Sequence, residues 1–102
     1  MGDQVTPQTV ATPEQRASCQ ADADKVIAHA GVSATAKVRI EPAWTDPETG
    51  ERFGSSWVCE VRVRRAASFV AIVMEVADHA ADPSAWCELL DGDLRAAVGR
   101  RR

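Results

Sequence analysis

The sequence of 102 residues predicts one α+β domain with the element order helix, strand, strand, strand, helix. Apolar residues at helical spacing lie near both ends, and each of these segments begins with a capping residue followed by proline. Between them, apolar and polar residues alternate with the period of two that is typical of strands. The simplest assembly is an antiparallel three-stranded meander with both helices on one face. We expect a flexible lead-in over residues 1–12, the domain over 13–99 and a basic tail over 100–102.

The first helix is marked at both ends. Thr12 suits the N-cap, Pro13 suits the first helical position, and Gln15 completes a capping box three residues after the cap. Gly31 provides the left-handed conformation that commonly ends a helix. Between these ends, one side of the helix is apolar and consists of Cys19, Ala23, Val26, Ile27 and Ala30.

Two strands joined by a hairpin follow. Alternating apolar residues occur first at Ala36, Val38 and Ile40, and later at Trp57, Cys59, Val61 and Val63. The turn-forming residues from Thr45 to Gly50 predict the tip of the hairpin. Pairing of these strands would gather charged side chains on the opposite face, namely Lys37, Arg39, Glu41, Glu60, Arg62 and Arg64.

The segment over residues 66–81 is ambiguous between strand and helix. Phe69, Ile72, Val73, Val76 and Ala80 would line one side of a helix. The high content of β-branched residues and the near-continuous apolar run favour a buried strand instead. We predict a strand over residues 69–77, with a helix as the alternative.

A second capped helix is predicted to begin after Asp82 and Pro83 and to end at Gly99. Gly92, between two aspartates, is a candidate position for a kink or a break. The expected apolar side consists of Trp86, Leu89, Leu90, Leu94, Ala97 and Val98.

The composition, with 45% hydrophobic and 26% charged residues, is typical of a globular protein. A formal net charge of −3 disfavours a general nucleic-acid or anionic-membrane binder. Cys19, Cys59 and Cys87 match no metal or disulfide spacing, so each is expected to pack in the core. We expect no cofactor, no metal, no membrane partner and a cytoplasmic location.

A small acid–base enzyme centred on His79 is one alternative function. Asp78 and Asp82 flank this histidine, and a neighbouring carboxylate can orient an imidazole for proton transfer. The same three residues are also typical of a solvated loop that caps a helix, which is the interpretation we favour. Since no nucleophile or phosphate-loop motif accompanies them, we lean towards a non-enzymatic protein and assign no catalytic residue.

A nucleic-acid-binding module is the other alternative. Arg62, Arg64 and Arg65 form a basic cluster that phosphate contacts would use. The order of the elements is similar to that of double-stranded-RNA-binding domains, although order alone is not evidence of function. Because Glu41 and Glu60 lie on the face that carries the arginines, cross-strand ion pairing is the favoured interpretation.

The main hypothesis is a small assembly or adaptor subunit that acts through protein–protein contacts, for example a structural or connector component of a phage particle or another multi-protein complex. A third strand at the edge of the sheet would expose an apolar stripe in which Glu75 is the single charge between Phe69 and Ala77. Such an edge pairs readily with another chain, so we expect a homo-oligomer or a subunit of a larger assembly. The predicted contact residues lie on this strand and at the base of the hairpin: Phe69, Val70, Ile72, Val73, Met74, Val76, Trp44 and Phe53.

Overall fold

The computed structural model describes residues 11–99, which form three helices and five strands. Residues 1–10, which make up most of the expected lead-in, and the expected tail over 100–102 lie outside the described residues. The elements in chain order are α1 Pro13–Ala30, β1 Ala34–Glu41, β2 Trp44–Thr45, β3 Arg52–Phe53, β4 Ser56–Arg65, β5 Ser68–Glu75, α2 Val76–Ala81 and α3 Pro83–Gly99.

The main sheet is an antiparallel meander with the strand order β1-β4-β5, as predicted. Its register places Cys59 of the central strand between Val38 of β1 and Met74 of β5. The helices pack on one face of this sheet, which confirms the predicted layer arrangement. The core lies between the layers and contains Cys19, Ala23, Ile27, Cys59, Val61, Val63, Val76, Trp86, Leu90 and Leu94.

Helix α1 begins and ends at the predicted residues. The Thr12 hydroxyl accepts a hydrogen bond from the Gln15 amide (3.1 Å), and the Gln15 side chain accepts one from the Thr12 amide (3.0 Å). Gly31 ends the helix with a φ of 69°, a conformation that costs glycine little. Ala11, just before the cap, is buried against the core.

The hairpin tip also lies where the turn-forming residues predict it. The Asp46 amide donates to the Glu51 carbonyl, and the Gly50 amide donates to the Asp46 carbonyl, each at 2.8 Å. Gly50 has a φ of 76°, which this turn requires and glycine tolerates. The short ladder below the turn pairs Trp44 with Phe53 and Thr45 with Arg52, and its two strands lack the alternation that would have predicted them.

The predicted strand over 69–77 is wrong at its C-terminal end. Strand β5 ends at Glu75, and the next six residues form α2, so the helix alternative is correct for residues 76–81. The Val76 side chain is fully buried under the helices, and the Trp86 indole donates to the Glu75 carbonyl (3.2 Å). These two contacts turn the chain out of the sheet after Glu75.

Helix α3 differs from the prediction in two respects. It continues through Gly92 to Gly99 as one helix, so the candidate break is absent within these described residues. Leu89 and Val98 are 62% and 40% exposed, because the apolar side of this helix is narrower than the sequence pattern predicts. Its start is as expected, since the Asp82 side chain accepts a hydrogen bond from the Ala85 amide (3.2 Å).

Candidate protein-interaction site

The outer edge of β1 is closed by a side chain of α1. The Gln20 amide group donates to the Ala36 carbonyl (3.0 Å) and accepts from the Val38 amide (3.1 Å). One side chain therefore makes two of the hydrogen bonds that a neighbouring strand would make at the middle of β1. Lys37 and Arg39 add positive charge to the same strand, and charge also discourages pairing with another chain.

The outer edge of β5 is open. Within residues 11–99, no strand pairs with this side of the sheet. Phe69 and Val73 are 55% and 50% exposed, and Ala71 between them is also exposed. A free edge with exposed apolar side chains is the usual feature of a strand that pairs with another chain.

The predicted contact residues of the third strand do not all lie on this surface. Phe69 and Val73 lie on the face of the sheet that the helices leave uncovered. Val70, Ile72 and Met74 are half-buried on the helix-covered face. Val76, which the sequence places at the end of the strand, is in α2 and fully buried, so it takes no part in this surface.

The uncovered face carries an ion-pair network next to the apolar stripe. Glu60 on β4 accepts from Arg39 on β1 (2.7 Å) and from Arg62 (3.0 Å), and Arg39 also contacts Glu41 (2.7 Å). These hydrogen bonds from Arg39 and Arg62 lower the pKa of the Glu60 carboxyl group. The cross-strand ion pairing expected from the sequence is therefore present.

The three arginines of the predicted basic cluster are divided between the two faces. The Arg62 guanidinium lies 4.8 Å from the centre of the Phe69 ring while it contacts Glu60. Arg64 is opposite Phe69 on the same face, whereas Arg65 is opposite Ser68 and alternates to the helix-covered face. Arg62 and Arg64 consequently lie beside Phe69, and the three arginines do not form one phosphate-facing row.

The aromatic residues of the hairpin lie close to the C-terminal end of β5. Trp44 and Phe53 stack with ring centres 5.1 Å apart and are 51% and 39% exposed. They line a depression of about 360 Å³ together with Glu75, Glu41 and other residues. The structure therefore places the predicted hairpin residues next to Glu75, the last residue of β5.

His79 is buried, so its predicted place in a solvated loop is wrong. It belongs to α2, is 2% exposed, and contacts the Trp86 ring edge-on at 5.0 Å between ring centres. Its Nε2 is 2.7 Å from the carboxylate of Asp22, which is 57 residues away in the chain, and neither flanking aspartate takes this place. The pair connects α1 to α2. The imidazole ring is enclosed by the protein and is not accessible from solvent.

The cysteines pack as the sequence predicts. Cys19 and Cys59 are fully buried and Cys87 is half-buried. A hydrogen bond with Cys59 and burial raise the pKa of the Cys19 thiol, and burial raises that of Cys87. Among residues 11–99, no group of three or more His, Cys, Asp or Glu side chains is arranged to hold a metal ion. In the same part of the chain, no helix has the length and apolar character needed to cross a membrane.

Sequence reasoning missed the role of Gln20. A glutamine among the polar residues of an amphipathic helix carries no signal that distinguishes it from a solvated one. Its importance depends on α1 lying across β1, which is a tertiary contact.

Comparisons with models of protein families, with curated proteins and with solved structures find no match to this chain.

Proposed function

We propose that this chain is a non-enzymatic assembly or adaptor subunit that binds protein through the free edge of β5. The observation that supports this proposal is the difference between the two sheet edges. Gln20 bonds two outer backbone groups of β1, the Ala36 carbonyl and the Val38 amide, whereas β5 leaves most of its outer groups and two large apolar side chains exposed. A monomer would be expected to protect both edges.

The proposed mode of binding is addition of a strand to the sheet. Backbone hydrogen bonds along β5 would supply affinity, and the alternating side chains of its uncovered face would supply specificity. Full burial of an apolar side chain contributes about 1.5–3 kcal/mol, so Phe69 and Val73, which are 55% and 50% exposed, would each contribute at most about half of this before the costs of association. Trp44 and Phe53 would extend the contact, because exposed aromatic residues are effective anchors.

Site-specific photo-cross-linking in the cells that produce the protein tests this proposal. A photoreactive amino acid replaces Val73 in one variant and Leu89 in another. Leu89 is the matched control because it is an exposed apolar residue that lies on α3 and not on the sheet. We expect a discrete cross-linked protein adduct from position 73 and not from position 89. Equal labelling from both positions, or no adduct at position 73, would refute the proposed role of β5.

A further inference from the structure

We infer that the protein bound at the β5 edge is a second copy of this chain, related by a two-fold axis through Ile72, so that two three-stranded sheets join into one. This inference rests on the proposed function and names its partner. Three features carry it: the direction of the free backbone groups, the placement of charges along β5, and the closed edge of β1.

The direction of the backbone groups can be followed from the edge of β1. The Ala36 carbonyl and the Val38 amide point outwards, since both bond to Gln20. In an antiparallel pair, the amide and carbonyl of one residue point to the same neighbouring strand. Ala36 and Val38 therefore form non-hydrogen-bonded pairs with their partners on β4, which are Val61 and Cys59.

The alternating direction of the backbone groups continues across β4 to β5. Because Val61 and Cys59 point away from β1, they exchange hydrogen bonds with their partners on β5, Ile72 and Met74. The intervening residues of β5 direct their amides and carbonyls to the open edge. These outward residues are Phe69, Ala71, Val73 and Glu75.

This pattern selects one register for pairing with a second copy. With the axis at Ile72, Phe69 lies opposite Glu75 of the second copy, and Ala71 lies opposite its Val73. Every outward residue then exchanges both of its hydrogen bonds with its opposite residue, and the Glu75 carbonyl, which already accepts from the Trp86 indole (3.2 Å), uses its second lone pair for this. An axis at Ala71 would leave Glu75 without an opposite residue in β5, and an axis at Val73 would do the same to Phe69.

The charges along β5 are complementary to this arrangement. Glu75 is at one end of the strand, and at the other end Arg62 and Arg64 flank Phe69 on the uncovered face. Antiparallel pairing brings Glu75 of each copy next to Phe69 of the other copy. The Glu75 carboxylate then lies within reach of the other copy's Arg62 guanidinium, which sits above that copy's Phe69 ring. Opposite charges near a strand pair favour its formation, and here they occur twice by symmetry.

The Gln20 contacts on β1 favour an assembly of two copies over a filament. Pairing of β5 with β1 of another copy would continue without end and would give a filament. Gln20 already occupies two outer groups of β1, the Ala36 carbonyl and the Val38 amide, so that pairing across them would have to displace two hydrogen bonds. Pairing of β5 with itself leaves the Gln20 contacts intact, requires only that the Glu75 carbonyl be shared with the Trp86 indole, and uses up both open edges.

Disulfide cross-linking of purified protein tests both the partner and the register. The single variants Ala71→Cys and Val73→Cys are mixed and oxidised with glutathione disulfide, which takes up the two electrons and two protons of each pair of thiols. We expect cross-linked dimers that contain one copy of each variant, because these positions lie opposite each other. Ala71→Cys alone should cross-link at least about tenfold more slowly, since its two copies would be diagonal neighbours beyond disulfide reach.

The unsubstituted chain is the control for cross-linking through the half-buried Cys87. Faster cross-linking of Ala71→Cys alone than of the mixture would overturn the register. A mass of one chain at every accessible concentration would overturn the inference that the partner is a second copy. In that case, an adduct with a different protein at position 73 would still support the proposed function, and absence of any adduct would remove both.

Discussion

Ala66 adopts a φ of 35° in the connection between β4 and β5, a backbone region that residues with a Cβ rarely occupy. Such tight connections usually carry glycine or asparagine at the position of positive φ. The sequence offers two alanines instead, so nothing marks the turn. Without a turn signal, the sequence does not show where β4 ends and the next element begins. Residues 66–81 therefore stay ambiguous between strand and helix.

Replacement of Ala66 by glycine is expected to stabilise the protein by about 0.5–1 kcal/mol, since glycine removes the Cβ penalty at positive φ. The measurement is the free energy of unfolding from urea denaturation. Ala67→Gly is the matched control, because Ala67 is not at positive φ and glycine there should be neutral or destabilising. Destabilisation by Ala66→Gly equal to that of the control would contradict this account of the turn.

The network around Glu60 is expected to make stability depend on pH. Hydrogen bonds from Arg39 and Arg62 lower the pKa of this carboxyl in the folded chain. A lowered pKa contributes stability that is present above the ordinary value of 4.5 and is lost as the pH falls through the folded value. The contribution should be about 1 kcal/mol or less, because the Arg39 and Arg62 side chains are 32% and 58% exposed.

This expectation is checked by comparing the unfolding free energies of the wild type and Glu60→Gln between about pH 6 and about pH 2. The difference between the two proteins should shrink as the pH falls. Glu48→Gln, in the exposed hairpin turn, controls for the loss of one negative charge. A difference that stays constant across this range would show that the arginines do not stabilise the charged form.

At the scale of elements, the two edges of the sheet decide where another chain can pair. Alternation predicts the strands β1 and β4, but it predicts their faces only in part, since Ile40 on the core side is 52% exposed and Val58, on the face of Glu60 and Arg62, is buried. The state of each edge is not predictable in the same way. It depends on Gln20 reaching from α1 to β1, and on the chain leaving the sheet at Val76.

Gln20→Ala is expected to lower the unfolding free energy by about 1 kcal/mol and to open the edge of β1. Light scattering should then detect species larger than those of the wild type at high protein concentration, because both edges of the sheet would be available. Asp24→Ala is the control, since it removes the Gln20–Asp24 hydrogen bond (3.2 Å) and leaves the edge contacts in place. Wild-type masses for Gln20→Ala at all concentrations would argue against a protective role for this side chain.

At the scale of the whole molecule, the fold class could be predicted and the candidate site only in part. The caps of α1, the meander and the single helical layer follow from local signals. The contact between His79 and Asp22 joins distant segments and has no local signature, so the sequence assigns His79 to the wrong environment. The same limit applies to Val76, whose burial depends on the helices packing above it.

The most direct test of the central claim is the mass in solution, measured by size-exclusion chromatography with light scattering on the wild type, Val73→Lys and Leu89→Lys. The wild type should have twice the chain mass of 11.0 kDa. Leu89→Lys should have the same mass as the wild type, because Leu89 is exposed on α3 and not on the sheet. Val73→Lys should be a monomer, because each lysine would lie opposite Ala71 of the other copy and diagonal to the other lysine, which places two like charges at the centre of the paired strands. A wild-type monomer at all concentrations, or a dimer that persists in Val73→Lys, would contradict self-association through β5.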